Sequence, residues 1–215
     1  MKMNKKLRRI LLTVCSAALL VCVTVGATVA YLTSTDKVEN TFTVGNVQIK
    51  LDEAKANPDG SLVPNADRVK ANDYKLLPGH TYNKDPMVTV LANSEDCYVK
   101  MTVTFTKAAE LDAIFAPSGA DMTSIFEGYD SNNWISKGNT EDTKANTRTY
   151  EFWYKDIVTS DTDNNALDAL FDKIVVPGFI TNTQLDSIDG MTITVNAYAI
   201  QADGFDDAAD AWANY

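Results

Sequence analysis

The chain has 215 residues, 45% hydrophobic and 22% charged. This balance supports one or two packed domains and excludes a disordered chain. The formal net charge is −10, and beyond residue 30 only 14 basic residues face 29 acidic ones. So acidic a surface repels nucleic acid and anionic lipid, and neither is expected as a partner.

The first 30 residues read as a signal peptide. Lys2, Lys5, Lys6, Arg8 and Arg9 precede an uncharged run from Ile10 to Ala30 that ends in the small residues Gly26, Ala27 and Ala30, the order an export signal requires. Cleavage is expected between Ala30 and Tyr31, with Ala27 as the next choice. Left uncleaved, the run is long enough to anchor the chain, and this leader is the only membrane contact expected. Of the three cysteines, Cys15 and Cys22 leave with the leader. Cys97 then stands alone, so no intrachain disulfide is expected and a hydrophobic core must hold the domain.

Along the remaining chain, Val47 to Leu51 alternates apolar and polar residues as a half-buried strand does. Residues 54–73 are polar, with a turn at Asn57-Pro58-Asp59-Gly60, and Leu76-Leu77-Pro78-Gly79 makes another. Met87 to Leu91 is a short strand. From Cys97 to Thr106, Cys97, Val99, Met101, Val103 and Phe105 share one face and Lys100, Thr102, Thr104 and Thr106 the other, which puts the Cys97 thiol in the core. Lys107 to Phe115 has helical spacing and stops at Pro117. Residues 117–148 form an excursion of short pieces, and Thr149 to Val158 is an aromatic, β-rich run. The spacing of Leu167, Leu170 and Phe171 predicts a short helix over Asn164 to Lys173. Ile174 to Val176 leads into Pro177-Gly178. Met191 to Ala199 alternates as a long last strand, and Asp206 to Tyr215 closes as a helix over the core through Phe205 and Trp212. The expected fold is mainly β, an antiparallel two-sheet sandwich of jelly-roll type with short helical insertions. The domain limits are 1–30 for the signal peptide, 31–45 for an N-terminal segment and 46–215 for the sandwich.

Little in the sequence points to catalysis, and no enzyme is expected. His80 is the single histidine and follows a Pro-Gly turn, so a zinc helix with two histidines is ruled out within one chain. A serine triad would need His80 as base without a Gly-x-Ser-x-Gly elbow. Cys97 faces the core, where a nucleophile lacks access. The glycines are scattered and make no phosphate loop. Asp161 with Asp163, and the cluster Asp203, Asp206 and Asp207, offer carboxylates at calcium-binding spacing. Clustered acids are more often a solvated loop, and no other cofactor is expected.

Three stretches together carry a family resemblance. Gly26 to Asp36 followed by Asn40-Thr41-Phe42-Thr43-Val44-Gly45-Asn46-Val47 resembles the leader and mature start of TasA/camelysin-type proteins of Gram-positive bacteria, which a SipW-type signal peptidase processes. Leu77-Pro78-Gly79 with Asp85-Pro86, Val88 to Val90, Asn93-Ser94 and Tyr98-Val99-Lys100 is the second. Ala197 to Ala202 with Ala208-Ala209-Asp210-Ala211-Trp212 is the third. Residues 107–175 carry no motif of the family. The resemblance implies a secreted jelly-roll protein of the cell surface or biofilm matrix. It implies self-association into head-to-tail fibres, in which the segment from Tyr31 to about Thr41 is donated as a strand to the next subunit. Tyr31, Leu32, Val38 and Phe42 would be its anchors. It also implies a metal-dependent peptidase activity through camelysin, for which the ligands are missing. A monomeric module binding glycan or protein through Tyr129, Trp134, Trp153 and Tyr154 is the alternative.

Overall fold

In the computed structural model the chain divides between Thr43 and Val44. The structure describes Lys6, residues 46–118 and residues 122–215. The expected cleavage site and the donor-segment anchors Tyr31, Leu32, Val38 and Phe42 lie outside the described residues.

Alternating runs become strands because burying every second side chain satisfies both the core and the backbone ladder. Strand β1 (Ile49–Asp52) pairs antiparallel with β3 (Met87–Val90), which also pairs with β9 (Asn165–Ala166). Strand β10 (Lys173–Val175) sits between β2 (Thr81–Asn83) and β5 (Phe126–Glu127). The largest sheet runs β11 (Ile193–Gln201), β4 (Ser94–Thr106), β7 (Thr147–Tyr154), β6 (Trp134–Asp142), and β8 (Val158–Ser160) pairs with the start of β4. All these pairings are antiparallel, so the protein is mainly β. The three sheets share one apolar cluster. Val99, Met101, Val103 and Phe105 of β4 are wholly buried, with Val88 and Val90 of β3 and Tyr82 of β2 in the same cluster.

Among the described residues from 46 onward, three short α-helices decorate the sheets. Helix α1 (Ala108–Phe115) buries Leu111, Ile114 and Phe115. Arg148 of β7 clamps it, donating to both carboxylate oxygens of Asp112 at 2.6 and 2.7 Å. Helix α2 (Asn182–Ser187) starts with a capping box in which the Thr181 hydroxyl and the Gln184 side chain satisfy each other's backbone N–H groups. Helix α3 (Ala208–Ala213) forms where the acidic tail predicts a helix, but it does not close over the main core. Trp212 joins Tyr98 and Ala211 in a separate cluster, with Trp153 and Tyr198 packed against it. Tyr98 precedes the inward Val99 on β4, so this cluster covers the opposite face of the large sheet. Among the described residues no helix is long and apolar enough to cross a membrane.

The helix expected over Asn164 to Lys173 is corrected. Only β9 and, at Lys173, the first residue of β10 are regular there, and Leu167, Leu170 and Phe171 are buried. Their backbone bonds run to other segments: Leu167 N–H donates to Val88 O, Leu170 N–H to Pro86 O and Asp172 N–H to Glu127 O. Helical spacing of apolar residues therefore serves a chain threaded across the core, with its hydrogen bonds made to neighbours. The excursion at 117–148 contains β6, which pairs with β7 as a hairpin interrupted by a bulge between Ser136 and Asn139.

The turn at Asn57 to Gly60 docks directly on β2, with Asn83 N–H donating to Gly60 O at 3.1 Å. Gly60 has φ +86°, and a Cβ there would lie 2.7 Å from both Thr81 O and Tyr82 Cα. Gly60→Ala is therefore expected to destabilise the domain by more than about 1 kcal/mol. A denaturant midpoint equal to that of the unsubstituted protein would contradict this contact.

Candidate functional site: the edge of the large sheet

The two outer strands of the large sheet differ sharply. Strand β6 carries Lys137, Glu141 and Asp142 and the bulge at Ser136/Asn139, the devices that discourage further strand pairing. Strand β11 (ITVNAYAIQ) carries no charge and no proline, and its nine residues pair in unbroken register with β4. Among the described residues β4 is the only strand hydrogen-bonded to β11, although β1 of the neighbouring sheet packs close to it.

The inward side chains reinforce the contrast. On β4 the core-facing residues are fully buried. On β11 the equivalent residues Ile193, Val195, Ala197 and Ala199 face the same core, yet each remains half-buried. Among the described residues the apolar interior is thus less completely covered along the β11 side than along β4. Facing it, Leu51, Tyr74 and Leu76 are also only half-buried. A cleft of about 840 Å³ begins under Ile193, with Tyr74, Leu76, Phe115, Val176 and Ile180 on its walls. A second of about 320 Å³ continues past Val195 to Leu51 and Glu53. Asn72, Lys84, Ile193 and Thr194 line both.

At the far wall sits a charged network. Asp52 accepts from Arg68 Nε at 2.5 Å, and Arg68 also donates to Asp85 Oδ2 at 2.8 Å. Burial opposes ionisation of Asp52, but bonds from Lys50 and Arg68 outweigh it and hold the carboxyl below its ordinary range. Glu53 and Lys84 are buried together, with Lys84 Nζ 2.5 Å from Glu53 Oε2.

Other residues singled out by the sequence fall elsewhere. His80 is exposed in its turn, its N–H donating to Leu77 O. Asp161 and Asp163 are exposed, and their backbone carbonyls accept from Asn93 N–H and the Ser160 hydroxyl. Among the described residues no group of three or more His, Cys, Asp or Glu converges as a metal ligand set. Trp134, expected among exposed contacts, is wholly buried, its Nε1–H donating to Asp168 O at 3.0 Å. Tyr129, Trp153 and Tyr154 are half-buried. On the outer face Lys137 Nζ lies 4.2 Å from the Trp153 ring centre, and Lys100 Nζ 4.5 Å from that of Trp212, so the cations on this face are engaged by rings.

The chain has no match among known protein families, characterised proteins or solved structures. The reading of the site therefore rests on its geometry.

Cys97 lies in the core, as the alternation of its strand requires. Burial, reinforced by the Asp96 charge, pushes its thiol from 9.0 up to about 11. The unfolded chain loses this proton first, so the raised value removes stability as pH climbs from about 9 towards 11. In a chain starting at Tyr31, the thiol is expected to stay silent to a thiol reagent at pH 8 until denaturant is added. Labelling of the native protein at the rate of a free thiol would contradict its burial.

Proposed function

We propose that the chain is an exported structural protein of the cell surface or biofilm matrix, a jelly-roll sandwich that polymerises head to tail. In this reading the N-terminal segment of one copy, residues 31–45, adds as a strand beside β11 of the next. The observation that carries it is the half-buried inward face of an uncharged edge strand whose neighbour β4 is fully buried. An added strand satisfies edge backbone groups and places alternate side chains in the uncovered core. Tyr31, Leu32, Val38 and Phe42 supply apolar side chains to pack against the apolar walls of the cleft. Nine residues of β11 span about 30 Å, a length that twelve extended residues cover. Because donor and acceptor are different surfaces of one chain, the contact propagates and does not close on a pair.

A labelled peptide of residues 31–42 is expected to bind the chain that begins at Thr43, with fluorescence anisotropy as readout. A scrambled peptide of the same composition binds at least about tenfold more weakly, about 1.4 kcal/mol. Equal binding of the two peptides, or none, would reject the strand-addition site and favour a monomeric surface module.

A further inference from the structure

Glu53, Asn72 and Lys84 form a constellation that the strand-addition reading does not use. Glu53 directly follows β1 and is fixed by reciprocal backbone bonds with Val69 at 2.9 and 2.8 Å. Lys84 directly follows β2, and its N–H donates to Asp172 O. The two buried side chains meet at 2.5 Å through Glu53 Oε2. The other carboxylate oxygen, Oε1, accepts from Asn72 Nδ2 at 2.9 Å. One carboxylate thus holds an amine on one oxygen and a carboxamide on the other, which makes the two held groups neighbours. The carboxamide is further fixed. Its Oδ1 accepts from Ala56 N–H at 2.8 Å, and its Nδ2 also donates to Ala54 O at 2.9 Å.

We propose that Lys84 and Asn72 become joined by an intramolecular isopeptide bond, with Glu53 as the proton carrier. The Lys84 ammonium gives a proton to Glu53 Oε2, and the freed amine pair attacks Asn72 Cγ. The Cγ–Oδ1 bond opens to an oxyanion that the Ala56 N–H stabilises in place. The intermediate then re-forms the carbonyl and breaks the Cγ–Nδ2 bond. The departing nitrogen takes the proton held by Glu53 and the one released by the new amide nitrogen, and leaves as ammonium. Glu53 returns to the carboxylate, the lysine charge leaves with the ammonium, and nothing is oxidised or reduced. The amine and the departing carboxamide nitrogen are both already within hydrogen-bond reach of Glu53, which replaces a bimolecular encounter by positioning.

Intact-mass measurement on the purified full chain tests this. The expected mass is lower than that of the sequence by one ammonia molecule. Trypsin should release a branched peptide joining residues 71–75 to residues 76–100, because an acylated Lys84 is no longer cut. A succinimide also loses ammonia but gives no branch, so it would overturn the proposal. Asn72→Ala keeps the Glu53–Lys84 pair and should restore both the full mass and cleavage at Lys84. Glu53→Gln, which keeps the shape but carries no proton, should do the same. A full-mass wild-type chain yielding separate peptides 71–75, 76–84 and 85–100 would show that the constellation is an ion pair only.

Discussion

Val195→Lys is expected to abolish filament growth while leaving the monomer folded. Val195 faces the core from β11 and is half-buried at the mouth of the second cleft. A lysine there can run its stem along the apolar wall and keep its ammonium in water at the uncovered edge, so the fold survives. Once a neighbouring strand covers that edge, the same ammonium loses its water, and the carboxylates on this cleft, Asp52 and Glu53, already hold Arg68 and Lys84. This inward-pointing charge is the device by which edge strands refuse partners. Asn196→Lys supplies the contrast. Asn196 is exposed on the opposite face of β11, and the added strand leaves it in water. Circular dichroism and sedimentation should find both variants folded, the first monomeric and the second polymerising as the proposed assembly requires of the unsubstituted chain. Filaments from Val195→Lys at the normal rate would remove the inward face of β11 from assembly.

Trp134→Ala is expected to cost about 3–5 kcal/mol of stability. The Trp134 side chain is wholly buried at the start of β6, 5.1 Å from Tyr154 between ring centres in an edge-on arrangement. Truncation opens a cavity and also leaves Asp168 O without the indole donor. The next residue, Ile135, is 41% exposed, and Ile135→Ala should change stability by less than about 1 kcal/mol. Chemical denaturation of the two variants checks the inward and outward alternation at this end of β6. Equal losses would show that Trp134 is not the core residue of the pair.

How far the sequence reveals this fold depends on whether an element's neighbours lie beside it or far along the chain. Strand β4 is legible because from Cys97 to Thr106 every second residue, Cys97, Val99, Met101, Val103 and Phe105, is buried in one continuous core. Helix α1 is legible from its spacing and the proline after it. Strand β6 is not, because after Trp134 every side chain is exposed, and a hairpin reaching into solvent has no apolar face to alternate. The segment 164–173 reads as a helix because Leu167, Leu170 and Phe171 repeat at helical spacing, whereas the backbone N–H groups of Leu167, Leu170 and Asp172 bond to β3, the adjoining Pro86 and β5. Helix α2 did leave a signal, the Thr181 and Gln184 capping box, three residues apart. It is short and buries no residue, so no apolar stripe announces it.

The candidate site is less legible than the fold. The alternation of β11 has the same form as that of β4, and nothing in the letters says that one is covered on both sides and the other is not. That difference appears only in the burial of Val195 and Ala197 against Val103 and Met101, their register partners. The Glu53, Asn72 and Lys84 constellation brings together residues 19 and 31 positions apart, through a polar excursion whose composition reads as an ordinary loop.

The most direct test of assembly by strand donation compares two purified chains by light scattering and electron microscopy. One begins at Tyr31 and the other lacks residues 31–42. Filaments from the first and monomers from the second are the predicted result. Monomers from both chains across pH, salt and calcium, or filaments from both, would contradict assembly through the N-terminal segment.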